Sequence, residues 1–186
     1  EIGYPEIAEI IGYMEDVLDV HNIKIPDEER DESTSDDEQQ GSIYGATYFF
    51  YAAVNGRDSI DNAGLTMSAT VRYCPAGQPC PYQNAFWDGS RMWFGDGFTA
   101  DDVVAHELTH GVTQYESNLI YANQSGAINE SFSDMWGEWV DLSDGAGNDS
   151  PAVRWLLGED IPVIGAIRNM RDPTAFGDPD RMGSPN

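Results

Sequence analysis

The chain is short of positive charge. Nine lysines and arginines stand against 33 aspartates and glutamates, for a net charge of −24. A polyanion of this kind is repelled by phosphate backbones and anionic lipid, which excludes nucleic acid and the membrane surface as partners. The acidity suits solubility, calcium binding or a salty medium. Long apolar runs are also missing, and none approaches the roughly 20 residues of a membrane-spanning helix. No leader with a basic start and an apolar middle opens the sequence, so the chain reads as processed or cut from something longer. Cysteine is scarce. Cys74 and Cys80 have five residues between them, including Pro75, Gly77 and Pro79. No further Cys or nearby His could complete a second zinc site with them. A short disulfide loop, and with it an oxidising, extracellular setting, is expected; two free thiols are the alternative. Histidine is scarce too, with three in 186 residues.

Two of those three lie one helical turn apart. Val103 to His110 reads Val-Val-Ala-His-Glu-Leu-Thr-His. In a helix, residues four apart share a face, so His106 and His110 can grip one Zn²⁺. Glu107, beside the first ligand, can reach a water at the open position. Thr99 is placed to cap this helix, Asp101 and Asp102 suit its first turn, and neither Gly nor Pro interrupts 98–110. A second helix, begun by Ser125 or Gly126, carries Glu130 and Asp134 on one face. A catalytic zinc needs a third protein ligand and one open position, and Glu130 is the candidate. Asp134, one turn on, can accept the free N–H of a ligating histidine and so fix its tautomer. An amphipathic helix with two ordinary histidines is the plainer alternative for the first run alone.

The rest of the chain reads as a framework. Ile7, Ile10, Ile11, Met14, Val17 and Leu18 fit one face of a packing helix within 1–25, and His21 just beyond it suits a surface or capping position. Residues 27–40 hold eight acids and one base. They read as a solvated linker or exposed loop whose spacing matches no EF-hand. Residues 43–54 suggest an aromatic-rich helix closed near Asn55-Gly56. Leu65 to Tyr73 alternates apolar and polar, as a half-buried strand does. Asp88-Gly89, between two aromatic runs within Asn84–Gly95, signals a hairpin.

The runs VVAHELTHGVT and SGAINESFSD, with Glu130 twenty residues after His110, resemble the thermolysin family of secreted neutral metalloproteases, a gluzincin family. The metzincin pattern fails, because Thr113 and Glu116 occupy its Gly and His positions. The resemblance implies an α+β fold with a β-rich first part, a central zinc helix and the start of an α-helical lobe. Three regions are expected: 1–40, an atypical N-terminal helix and acidic linker; 41–98, a β-rich part with a substrate-binding edge strand; and 99–186, the zinc helices and calcium region, with the lobe incomplete. The implied activity is zinc-dependent endopeptidase action on extracellular proteins. In it, His106, His110 and Glu130 hold one zinc, Glu107 is general base, and Asp134 orients a ligand.

The same resemblance makes Asn84 and Ala85 substrate contacts, Trp87 a cleft residue and Val103 a pocket wall. Tyr121 becomes the donor to the oxyanion, and Arg168 the holder of the substrate carbonyl beyond the scissile bond. Asp102, Glu138, Asp141 and Glu159 are implied calcium ligands. Arg154 stands where the family has an acid, so one calcium is expected, not two. The connection after Gly95-Asp96-Gly97 is shorter than the family's, which leaves specificity open. The family also uses a later histidine, and only His21 remains beside the motif. The chain stops about where the run leading to that histidine should begin. A fragment, or a second chain completing the cleft, is therefore expected, with weak or no activity from 1–186 alone.

Overall fold

In the computed structural model, residues 34–180 are described, those from 34 to 43 by backbone alone. The helix expected within 1–25, His21 and the acidic residues 27–33 lie outside that range.

The first helix, α1 (Thr34–Asn55), starts further back than the apolar pattern suggests. Part of the acidic stretch is thus helix, not loop. It closes where expected, with Gly56 at a left-handed φ of +65° and its N–H on Ala52 O at 2.9 Å.

A three-stranded sheet follows, made of β1 (Ala69–Thr70), β2 (Ala85–Trp87) and β3 (Met92–Phe94) in the order β1-β3-β2. The hairpin is antiparallel, pairing Ala85 with Phe94 and Trp87 with Met92. β1 joins β3 in parallel. The strand read over 65–73 shrinks to two residues; Arg72 takes a φ of +52°, and Tyr73 N still donates to Phe94 O of β3 at 2.8 Å. The predicted inner face still holds, with Met67, Ala69 and Val71 buried. Since β2 lies at the sheet margin, its outer main-chain groups have no neighbouring strand among the described residues. Just before it, Cys74 and Cys80 are disulfide-bonded with Cα atoms 5.9 Å apart, which disposes of the free-thiol alternative.

Next come α2 (Asp101–Glu116) and α3 (Asn123–Asp144). Thr99 is not the cap of α2; Ala100 is, without a side-chain bond. α3 begins two residues before Ser125. The two helices run antiparallel, and a glycine lets them close. A Cβ on Gly137 would stand 2.6 Å from Asp102 O and 3.4 Å from His106 N. Val104, Leu108, Met92, Phe94 and Tyr44 form the buried centre between the sheet, α1 and α2. On the far side of α2, the Tyr51 and Thr109 hydroxyls meet at 2.7 Å. A two-stranded sheet, β4 (Leu156–Leu157) and β5 (Arg168–Asn169), and a 3₁₀ turn (Pro173–Phe176) complete the chain. The architecture is α+β, and no described helix is long and apolar enough to cross a membrane.

Candidate active site

The α2 helix turns His106 and His110 to the same side, with their Nε2 atoms 2.9 Å apart. α3 brings Glu130 opposite them. One of its oxygens lies 3.4 Å from His106 Nε2 and the other 3.4 Å from His110 Nε2. Two imidazole nitrogens and a carboxylate so arranged fit a single zinc ion, whose bonds to them are each about 2.0–2.2 Å long.

Each ring is fixed from behind. His106 Nδ1 meets Asp134 Oδ1 at 2.8 Å, and His110 Nδ1 meets Asn129 Oδ1 at 2.8 Å with Ser133 Oγ alongside at 3.1 Å. These acceptors place the proton on Nδ1 of both rings, so Nε2 is the face offered to a cation. One proton then bridges the two Nε2 atoms. Burial works against a charge on His106, but its hydrogen bonds to Asp134 and Glu130 prevail and lift it to about 9. Burial and the neighbouring His106 charge press His110 down to about 4. Burial would raise Glu130 as well, yet the hydrogen bond and charge of His106 hold it at about 2.

Glu107 is buried, which raises its carboxyl, while the His106 charge and the main-chain N–H of Trp87 pull the other way. Arg168 grips Asp134 with two nitrogens at 2.7–3.1 Å, and its NH2 lies 3.5 Å from Glu130. Its charge is thus spent first on the carboxylate behind His106. The Tyr121 hydroxyl donates to Glu130 Oε1.

All these groups except Asp134 and Ser133 face a cleft of about 740 Å³. Asn84, Ala85 and Trp87 form its β2 wall, and Val103, Phe98, Leu157 and Ile167 make an apolar recess. The structure thereby brings together every expected residue of the zinc and substrate set. Asn129 and Ser133 were missed by sequence reasoning. Their signal was available, since they lie one residue before and three after Glu130 on the same helix.

The expected calcium set assembles only in part. Oxygens of Glu138, Asp141 and Glu159 lie within 4.8 Å of one another. Asp102 does not join that triangle. One of its oxygens accepts from Val103 N at 2.7 Å and the other from Gly158 N, so it ties α2 to the β4 loop. Asp149, which sequence reasoning also missed, takes a place nearby. Both Glu138 oxygens, Asp149 Oδ1 and Glu159 Oε2 are buried without a hydrogen-bond partner among the described residues. Burial, and then repulsion within a group that includes Asp102 and Asp149, pushes Asp141 up to about 9, Glu138 to about 8 and Glu159 to about 7. Orphaned carboxylate oxygens crowded in this way fit a hard divalent cation.

The helix pair, with its two imidazoles, opposed glutamate and adjacent buried glutamate, makes a candidate zinc site. Comparison with known proteins agrees. Residues 31–114 match the model of the thermolysin metallopeptidase catalytic domain, and residues 117–185 that of its alpha-helical domain. A zinc metalloproteinase of Renibacterium salmoninarum is 49% identical over 144 residues, 74% of this chain and 26% of the relative. A bacillolysin of Bacillus cereus is 46% identical over 148 residues, 73% of this chain and 24% of the relative. The solved precursor of protealysin, a metalloproteinase from Serratia proteamaculans, superposes with a TM-score of 0.63 at 37% identity, covering 77% of this chain and 47% of that one. The chain belongs to the thermolysin metallopeptidase family. It spans about a quarter of the length of these two relatives, at 26% and 24%.

Proposed function

We propose that the protein is a zinc-dependent endopeptidase that hydrolyses internal peptide bonds of extracellular proteins. The observation that carries this reading is the convergence of His106, His110 and Glu130 in a cleft walled by an open sheet edge, with Glu107 buried beside them. An extended peptide pairs with β2 through main-chain hydrogen bonds, which gives affinity with little regard to side chains. Asn84 and Ala85 are its contacts, and the recess at Val103 takes the side chain beyond the scissile bond. A zinc ion held by the triad supplies Lewis-acid chemistry, polarising the carbonyl and acidifying water. The Glu107 carboxylate accepts the proton of the attacking water and passes it to the leaving nitrogen. Tyr121 donates to the developing oxyanion, and Arg168 to the next carbonyl while it braces Asp134. In this reading residues 41–98 supply the substrate edge and 99–186 the metal helices. One calcium at Glu138, Asp141 and Glu159 ties α3 to the β4 loop. The disulfide and the acidic surface support an extracellular setting.

The test is cleavage of an unfolded protein, abolished by chelation and restored by zinc. Glu107→Gln keeps all three ligands, so zinc stays bound while turnover falls about 10²- to 10⁴-fold. Full turnover in that variant removes the general-base assignment. A second reading is a zinc-holding module without catalysis, built on the same three ligands. Stoichiometric zinc with no cleavage selects it.

A further inference from the structure

Gln114 lies on α2 one turn beyond His110 and reaches across to the hairpin. Its Oε1 accepts from Trp87 Nε1 at 2.9 Å, and its Nε2 donates to Gly89 O at 3.2 Å. The carboxamide thus holds the last residue of β2 and the turn beyond it at once. The turn is pinned on its other side by Asp88, whose Oδ1 accepts from Ser90 N at 2.8 Å and Arg91 N at 2.9 Å. Residue 89 has a φ of +99°, so its carbonyl direction is set by a glycine. The Trp87 ring lies against α2 beside Gly111, where an added Cβ would be at ordinary contact distance, 3.6 Å, from Trp87 Cε2. Trp87 also lines the cleft beside Glu107, and its main-chain N–H favours the Glu107 carboxylate over the neutral acid.

We infer that Gln114 is a positioning residue that locks the substrate edge to the zinc helix through Trp87. One residue then sets two alignments: β2 against the metal ligands, and the Trp87 amide against Glu107. Only a carboxamide fits both partners, because the indole needs an acceptor and the Gly89 carbonyl needs a donor. A carboxylate at 114 keeps the first bond and forfeits the second. An aliphatic side chain loses both.

The inference rests on the peptidase reading for its kinetic arm alone. Amide hydrogen exchange is measured on the zinc-loaded protein, on Gln114→Leu and on the near-isosteric Gln114→Glu. In Gln114→Leu, amides from Ala85 to Arg91, Trp87 included, exchange about tenfold faster, as expected for losing hydrogen bonds of ordinary net strength. Zinc content and exchange around His106 stay unchanged, which general destabilisation would not allow. Gln114→Glu falls between. For a peptide long enough to lie along β2, KM rises about tenfold in Gln114→Leu, and Gln114→Glu recovers part of it. Hairpin exchange unchanged in both variants overturns the inference, whether or not the protein cleaves peptides. Accelerated hairpin exchange in a protein with no peptidase activity upholds the bridge and sinks the peptidase reading instead.

Discussion

Asp134→Asn is the substitution that best tests whether the ring of groups behind the metal site matters. Asp134 is buried, and everything it touches is a donor: His106 Nδ1 at 2.8 Å, Arg168 NH2 at 2.7 Å and Arg168 Nε at 3.0 and 3.1 Å. A carboxylate accepts from all of them. Asparagine has one oxygen, and its amide N–H₂ must point at either the imidazole N–H or the guanidinium. Whichever way it turns, a charge-assisted bond is replaced by two donors facing each other. The zinc ligands are untouched, but His106 loses either its tautomer or its basicity. Losses at such supporting positions run about 10- to 100-fold in metal affinity, or roughly 1.4–2.7 kcal/mol. The assay is zinc competition against a chelator of known strength at fixed pH. Asn129→Ala is the internal control. It removes a neutral acceptor from His110 and leaves Ser133 Oγ at 3.1 Å to replace it, so its cost is under about tenfold. Asp134→Asn within about threefold of the parent, or Asn129→Ala costing as much, refutes the reasoning.

Two further outcomes follow from the charges. In protein stripped of metal, the raised carboxyls of Glu138, Asp141 and Glu159 bind protons more tightly folded than unfolded. Their contribution to stability is therefore full below about pH 4 and is lost as pH rises through 7 to 9. Thermal melts should show Tm falling from pH 5 to pH 8, with added calcium raising it more at pH 8 than at pH 5; equal calcium effects at the two values contradict the site. At the zinc centre, the proton shared by the two Nε2 atoms, with His106 lifted to about 9, must leave as the ion enters. Zinc affinity should rise about tenfold per pH unit between 6 and 8, and calorimetry in buffers of different ionisation enthalpy should count about one proton released. A count of zero overturns the tautomer assignment.

The zinc ligands were legible because helical spacing turns directly into a shared face: His106 and His110 are four positions apart, as are Glu130 and Asp134. The hairpin was legible because Asp88-Gly89 states its turn. Residues defined by distant partners were not. Gln114 stands on the same face as His110, but its meaning lies in Trp87, 27 positions away. Asp149 reaches the acidic cluster by the path of a loop that has no periodicity to read. Asp102 was placed correctly on its helix, yet spacing alone could not reveal that two backbone N–H groups already occupy its oxygens. The ends of α2 and α3 were misplaced by a residue or two because Ala100 and Ala122 cap them without any side-chain hydrogen bond. The strand over 65–73 was overdrawn: an alternating pattern does not show that the ladder to β3 covers only Ala69–Thr70 or that Arg72 is left-handed.

The contact at Gly137 has a reach beyond the two atoms it spares. It sits between the imidazole jaw and the acidic cluster, so both cation positions are gauged by one separation, that of two helix axes. An ion that settles this spacing at the carboxylate end settles it for the histidines as well. A calcium that never meets a peptide would in this way calibrate the bite of the zinc.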